Sequence, residues 1–351
     1  MPSTSFTESL KDFLSDQKQP KFRYQQIVEG FYQKYYSSLD QFTNLPQSLI
    51  ELLKESSLNP VPLTPLHTVS SSQSEKVLFK TNQNQLVESV YLSYQTRDEN
   101  KFRHSLCVSS QSGCALGCEF CATGAVGFKQ NLSADEIVGQ LLHFLRQSKA
   151  VDTIVFMGMG EPLVNQESVF KAVEIITNPQ IIAFSPKRIT ISTVGIVPGI
   201  ERIIKDSPNI NLAISLHHPN QKEREVLMPI SKTYPIDQIF DATNAYIRAT
   251  KNRVFIAYTL MKDTNDSSKE AHDLAKLIKS QEDTAYLYHV NLIRYHQAPS
   301  KTAFTPSDTA TIKNFGEVLD KYHISHSLRQ NFGHEIDAAC GQLYATYLQK
   351  S

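Results

Sequence analysis

Three cysteines stand at the spacing C-x3-C-x2-C in Cys114-Ala-Leu-Gly-Cys118-Glu-Phe-Cys121. Three thiolates on one loop can hold three irons of a cubane cluster and leave the fourth iron open to a ligand from outside the protein, whereas a purely structural cluster recruits a fourth cysteine. A structural zinc site or three unrelated buried thiols are the competing readings. Zinc ribbons pair two separated C-x2-C units, and no second unit exists in this chain. The count of five cysteines is odd and low for a disulfide scaffold in 351 residues. Cys107 lies just before the triplet and Cys340 stands alone near the end. A second short motif, Gly158-Met159-Gly160-Glu161-Pro162, reads on its own as a turn between a strand and a helix.

These residues need strands to carry them. From about residue 100, short apolar runs alternate with helical patterns, and the expected strands are His104 to Val108, Thr153 to Met157, Arg188 to Thr193, Asn211 to Leu216, Val254 to Leu260 and His289 to Ile293. Ser133-Ala134-Asp135-Glu136 is a capping box for a helix to Arg146, and Thr305-Pro306-Ser307-Asp308 is expected to open another. Strand, helix, strand repeated six times predicts an α/β fold, a partial (β/α)6 barrel with right-handed crossovers. In such a barrel the active site sits at the C-terminal strand ends. The cysteine triplet follows the first strand, the glycine motif follows the second, Ser192 ends the third, and Ser215-Leu216-His217 ends the fourth.

Ahead of the barrel, Ser5 to Leu14, Tyr24 to Tyr36 and Leu45 to Lys54 carry apolar residues at helical spacing, and Asn59-Pro60-Val61-Pro62-Leu63-Thr64-Pro65 cannot continue a helix. Two strand-like runs follow, Lys76 to Lys80 and Leu86 to Leu92. The expected division is a small helical and accessory domain over 1–95, the barrel over 96–335, and a C-terminal segment over 336–351. Lys+Arg and Asp+Glu are 35 each, so no global charge draws the chain to nucleic acid, and any RNA contact must come from a local patch. The start has neither a basic nor an apolar leader-like region, and no run of about 18 apolar residues exists, so the expected location is cytoplasmic, with no membrane span.

With Phe120 just before its last cysteine, the triplet resembles the signature of the radical S-adenosylmethionine (SAM) superfamily. Cys107-Val-Ser-Ser-Gln-Ser-Gly-Cys114, Phe156-Met-Gly-Met-Gly-Glu-Pro162, Ser215-Leu-His217, Leu227-Met-Pro-Ile230, Asn291-Leu-Ile293 and Ile336-Asp-Ala-Ala-Cys-Gly-Gln-Leu343 together resemble the RlmN/Cfr family of radical SAM adenosine methyltransferases, from about residue 20 to the C-terminus. The resemblance implies a [4Fe-4S] cluster on Cys114, Cys118 and Cys121, and SAM bound at Gly160, Glu161, Ser192, Ser215, Leu216, His217 and Asn291. It implies two SAM per turnover, with Cys340 as the methyl-carrying cysteine, Cys107 as the resolving cysteine and Glu88 as the proton acceptor.

The implied substrate is 23S rRNA at the peptidyl-transferase centre, methylated at adenine C2 as in RlmN, with tRNA beside the anticodon as a further target. Pro162 after Glu161 favours C2. The alternative is C8, as in Cfr, which confers antibiotic resistance; Ala183-Phe-Ser-Pro-Lys-Arg188, Tyr288-His-Val-Asn-Leu-Ile-Arg-Tyr295 and Cys340-Gly-Gln-Leu-Tyr344 lean that way. A reading from another class is a non-catalytic iron–sulfur RNA-binding protein. Flavodoxin or ferredoxin is the expected electron donor, and the expected state is a monomer.

On local sequence alone, Glu88 is equally a solvated strand-edge charge, His217 a strand-end cap, Asn291 a partner for a buried carbonyl and Cys340 an inert thiol. His104 and His289 read as core or surface residues. Lys18, Lys21, Arg23, Lys101, Arg103 and Lys129, with Tyr24, Phe102 and Phe128, are candidates for RNA contact. Reaching a ring carbon inside a barrel requires the base to leave its stack, which costs least for an unpaired nucleotide.

Overall fold

The computed structural model describes residues 4–96, 98, 101–297 and 302–329. The first helix, Phe6–Asp16, is opened by Ser5, whose hydroxyl accepts from the Glu8 N–H while Glu8 reaches back to the Ser5 N–H at 3.0 Å. It buries Phe6, Leu10 and Leu14, and the Phe6 N–H donates to Asp135 at 2.7 Å, which ties it to the barrel helix Ala134–Arg146. The second helix, expected over Tyr24 to Tyr36, runs over Phe22–Val28 and then widens into a π turn at Glu29–Gln33. Two features end it early: the Phe42 ring packs where a Gly30 Cβ would sit, and Tyr35 turns out of the helix with φ +59°. The third helix is Gln47–Glu55.

The strands are β1 (Leu63–Ser70), β2 (Ser74–Thr81), β3 (Leu86–Gln95), β4 (Phe102–Cys107), β5 (Gln111–Ser112), β6 (Gln130–Asn131), β7 (Thr153–Phe156), β8 (Ile189–Thr193), β9 (Asn211–Ser215), β10 (Val254–Leu260), β11 (Tyr288–Arg294) and β12 (His326–Leu328). Ten of them form one sheet in the order β1-β2-β3-β4-β7-β8-β9-β10-β11-β12, and β5 pairs with β6 alone. From β1 to β4 neighbours are antiparallel; from β4 to β12 they are parallel. The six expected barrel strands are present. The sequence reading lacks β1, β12 and the two-residue strands β5 and β6. Pro65 stands in β1 beside a register shift, a place that an edge strand tolerates because its N–H is not needed for pairing. β12 is three residues long and mostly polar, so it carries no apolar signal.

The helix expected to open at Thr305 opens at Thr309 instead. Asp308 is its cap and accepts from the Thr311 N–H at 2.7 Å, while Thr305 and Pro306 are drawn out against Lys262 and Met261.

Burial alternates along the parallel strands. Ile154 and Phe156, Ile189 and Ile191, Leu212 and Ile214, Ile256 and Tyr258, and Val290 and Leu292 are fully buried beneath the helices in one continuous core. Between them stand partly exposed small or polar residues, among them Ser192, Ser215, Thr259 and Asn291. One face therefore serves the core, and the inner face of the partial barrel is left for a ligand. Among the described residues, no helix is long and apolar enough to cross a membrane.

Candidate active site

The loop that leaves β4 carries the three cysteines and is pinned at both ends. The β5–β6 ladder closes it, with Lys129 N–H donating to Ser112 at 2.9 Å. Gly113 holds φ +72°, and a Cβ there would lie 1.8 Å from the Gly127 carbonyl oxygen, so only glycine fits. The Cys121 N–H donates to the Cys118 carbonyl at 3.2 Å, and Cys121 precedes the short helix Ala122–Val126. Cys118 is buried in an apolar pocket with Leu227, Met228, Met261 and Tyr295, against which Phe120 and Cys121 also pack. Leu227 and Met228, from the Leu-Met-Pro-Ile motif, thus wall the cysteine loop.

Burial pushes the Cys114 thiol up to about 11 and raises Cys118, and in each case the neighbouring cysteines add to the rise. Buried thiols at Cys114 and Cys118, each raised further by a cysteine neighbour, suit a cationic centre that takes them as thiolates. Among the described residues no three His, Cys, Asp or Glu side chains converge on a single ion. A cubane spreads its ligands over separate irons, so the loop fits a cluster better than it fits zinc.

The serines of the Cys107-to-Cys114 motif knit three segments together. The Ser109 hydroxyl donates to the Glu88 carbonyl at 2.6 Å and accepts from the Met159 N–H at 2.8 Å. Gln140, buried on the helix Ala134–Arg146, accepts from Ser89 at 2.6 Å and from the Ser109 N–H at 2.8 Å. The glycine motif is drawn onto this frame: a Cβ on Gly158 would lie 2.6 Å from the Ser109 hydroxyl, and Gly160 holds φ +94° against Gln111. Glu161 is buried with both carboxylate oxygens used inside the protein, on the Leu163 N–H at 3.0 Å and the Val194 N–H at 2.9 Å. Burial raises it to about 7 against these bonds. Its carboxylate therefore clamps the ends of β7 and β8 together, and the backbone of Gly160 and Glu161 is what this turn can offer a ligand.

The remaining residues expected to hold SAM gather on the inner face. The Ser192 and Ser215 hydroxyls are 3.5 Å apart. Ser215, Ala257, Asn291 and Ser327 form one cross-strand row over β9 to β12, and the Asn291 carbonyl oxygen accepts from Ser327 at 3.1 Å. Only the Ala257 methyl separates Ser215 from Asn291 in this row. His217, at φ +58°, is buried; its Nδ1 accepts from the Thr259 N–H at 3.0 Å, and its ring meets Phe120 edge-on at 4.9 Å. Burial, with a smaller push from Arg224, lowers it to about 3, so the ring is neutral and can donate from Nε2. Leu216 is in the core and is held through its backbone.

Arg224 escaped the sequence reading. It is fully buried, and its guanidinium donates to the carbonyls of Leu216 (3.0 Å), Val194 (2.6 Å) and Ser215 (3.2 Å) and to the Ser231 hydroxyl (2.8 Å). It fastens the ends of β8 and β9 behind the row just described. Burial pulls it down to about 10 while Cys118 holds it up.

On the antiparallel side, Cys107 pairs with Val90 at the end of β4, and Glu88, two residues before Val90, is buried on the same face. Burial pushes the Cys107 thiol up to about 11. Cys340 and the segment from Ile336 to Leu343 lie outside the described residues. His104 bonds to Tyr91 at 2.8 Å, and His289 bonds to Ser325 and Ser327. Lys101, Phe102 and Arg103 sit at the opposite end of β4 from Cys107, away from the site. Phe128 and Lys129 adjoin the cysteine loop and are exposed.

A half-open α/β barrel with a three-cysteine loop after its first parallel strand defines a radical SAM protein, and the profile of the Radical SAM superfamily matches residues 108–275. Residues 6–58 match a second profile, the ribosomal RNA large subunit methyltransferase N-terminal domain. The chain is 41% identical over 343 residues to the ribosomal RNA large subunit methyltransferase Cfr of Bacillus velezensis, with 96% of each chain covered. It is 42% identical over 349 residues to the protein of the same name from Shouchella clausii, covering 98% of this chain and 97% of that one. A crystal structure of a radical SAM methyltransferase from Sphaerobacter thermophilus superposes with a TM-score of 0.88 at 35% identity over 97% of both chains. The chain belongs to the RlmN/Cfr family of radical SAM methyltransferases, whose cofactors are a [4Fe-4S] cluster and SAM.

Proposed function

We propose that this protein methylates an adenosine of large-subunit ribosomal RNA in the cytoplasm, at C8 of the adenine, taking electrons from a flavodoxin or ferredoxin and working as a monomer. The observation that carries the reading is the pairing of a three-cysteine loop with a separate thiol and carboxylate, Cys107 and Glu88, on the adjoining sheet face. An RNA-binding protein with a merely structural cluster has no use for that second pair. When bound, the cluster and SAM supply the methyl group and the radical that an unreactive adenine carbon requires.

The chain's own residues divide the rest. Cys114, Cys118 and Cys121 hold the cluster. The backbone of Gly160 and Glu161, the Ser192 and Ser215 hydroxyls, neutral His217 and Asn291 orient SAM. Cys340 carries the methyl group, Glu88 takes the ring proton, and the Cys107 thiolate attacks the Cys340 sulfur, so that the S–S bond forms as the sulfur–carbon bond to the RNA breaks and its electron pair leaves on the adenine-bound carbon, which is then protonated to the methyl group.

The name that the relatives share, Cfr, over nearly full length supports C8. Methylation at C2, with tRNA as an added target, is the second reading; Pro162, directly after Glu161, favours it. Mass spectrometry of 23S rRNA and tRNA fragments from cells with and without the gene tests both, with the methyl position assigned by fragmentation. A gene-dependent 8-methyladenosine supports the first reading and 2-methyladenosine the second. No new methyl group on either RNA overturns the proposal.

A further inference from the structure

Lys76 on β2 is fully buried, and its Nζ lies 3.7 Å from a Glu88 carboxylate oxygen. Val90 on β3 pairs with Lys76 on one side and with Cys107 on the other, so the three share one cross-strand row and one face of the sheet. Lys76 and Cys107 are thus two strand spacings apart, about 10 Å, with Glu88 beside the same row.

We infer that Lys76 is a positioning residue of this reaction: its buried ammonium holds the Glu88 carboxylate beside Cys107 and offsets the negative charge with which that carboxylate opposes the Cys107 thiolate. The inference rests on the roles proposed above for Glu88 and Cys107.

A buried lysine–glutamate pair is a weak source of stability, since a well-packed apolar pair of similar volume does as well or better. Valine or isoleucine would suit a strand position opposite Val90. A thiol and a carboxylate that must both be anionic on one dry face explain the cation, because each opposes the charge of the other. The groups acting on the Cys107 thiol are Arg329, which follows β12, the Met157 backbone after β7, Glu88 on β3 and Lys76 on β2. Of these, Glu88 opposes thiolate formation, and Lys76 is the cation paired with that carboxylate. In the proton transfer the C–H electron pair stays with the adenine ring, the proton passes to a Glu88 oxygen, and Lys76 keeps its own protons throughout.

The test uses full-length protein purified from cells and run on denaturing gels, where a covalent protein–RNA adduct appears as an RNase-sensitive slow band. Lys76→Met is expected to accumulate this band, as is Cys107→Ala, while retaining its cluster absorption and a methylated Cys340 by intact mass. Adduct decay at neutral pH should slow by about tenfold, the equivalent of one pKa unit. It should recover as pH rises, and Lys76→Arg should restore most of the rate. A Lys76→Met protein with no band, or one slowed equally at every pH and not rescued by arginine, overturns the inference.

If Cys107→Ala traps RNA and Lys76→Met does not, only the role of Lys76 falls. If neither traps RNA, the roles of Glu88 and Cys107 fall as well. Should Lys76→Met not fold, Glu88→Gln and Lys76→Met/Glu88→Gln carry the test. With the carboxylate gone the lysine has nothing left to hold, so the two should decay alike; a further loss in the double variant overturns the inference.

Discussion

On β8 to β11 the partly exposed inner-face side chains include Ser192, Ser215, Phe255, Thr259, His289 and Asn291, none of them an acid, a lysine or an arginine. On β2 to β4 the corresponding face carries Lys76, Glu88 and Cys107. The difference follows from what each side handles. On the roles proposed above, the first side orients a cofactor through hydroxyls, an amide, a neutral imidazole and a turn of backbone, and its buried charges, Glu161 and Arg224, are spent on backbone groups behind it. The second side, on the same proposal, moves a proton and ionises a thiol, and there the charges stand in the face itself. The proposal thus separates orientation from proton chemistry by a few strands of one barrel.

The sharpest way to break this division is to remove the cluster from it. Cys118→Ala should abolish cluster assembly and all methylation, because a three-thiolate site has no spare ligand. The check is the loss of the broad absorption near about 400 nm, characteristic of thiolate-bound iron, from protein reconstituted anaerobically with iron and sulfide. A variant that still absorbs and still cleaves SAM would remove the iron–sulfur assignment. Cys340→Ala should do the reverse. It should keep the absorption, because Cys114, Cys118 and Cys121 are untouched, but show no methyl adduct by intact mass and make no methylated adenosine. Methyl loading in the absence of Cys340 would detach the carrier role from that residue.

The two sides were not equally legible. The cysteine loop, the glycine motif and the six barrel strands are written in short local patterns, and the capping box at Ser133 is where the sequence places it. Lys76 is invisible at that level: in Lys76-Val-Leu-Phe-Lys80 it looks like a solvent-facing strand end, and only the register of three antiparallel strands sets it beside Glu88 and in a row with Cys107. Arg224 hides in the same way, inside the surface-like run Gln221-Lys-Glu-Arg-Glu225, because the carbonyls that it binds end β8 and β9, and that of Val194 is 30 residues away in sequence. Buried polar contacts between distant segments leave no periodic trace. They had to be found in the fold.

Arg224 offers a milder disturbance of the cofactor side alone. Arg224→Met keeps much of the volume but leaves the carbonyls of Val194, Ser215 and Leu216 without their donor. Leaving a buried acceptor unpaired costs about 1–3 kcal/mol, and 1 kcal/mol moves Tm by about 1–2 °C in a chain of this size, so with three acceptors affected a lowering of Tm by about 5 °C is expected. SAM affinity should fall with it, since the ends of β8 and β9 lose their fastening. RNA adducts pre-formed by a Cys107→Ala background should be no more abundant than before, because the charged side is untouched. Unchanged Tm and SAM binding would mean that Arg224 merely fills space.

The smallest expected effect concerns the neutrality of the cofactor side. The His217 Nδ1 accepts from the Thr259 N–H at 3.0 Å, so protonating that nitrogen would break the bond and place a cation in a buried pocket near the Arg224 guanidinium. The folded ring accordingly titrates at about 3, against an ordinary 6.5. A histidine with a depressed folded value binds its proton more readily when unfolded. The stability tied to it is complete above about pH 6.5 and is lost as pH falls from there toward 3, by about 1 kcal/mol at pH 5.5. His217→Asn removes that one proton. Thermal unfolding of both proteins at pH 7.5 and pH 5.5 should show a smaller drop in Tm for the variant. His218, His143 and His289 are also lowered by burial, but they are common to both proteins and cancel in the difference. Equal drops would show that His217 takes up a proton in the folded state, and the cofactor side could then no longer be described as held by neutral groups.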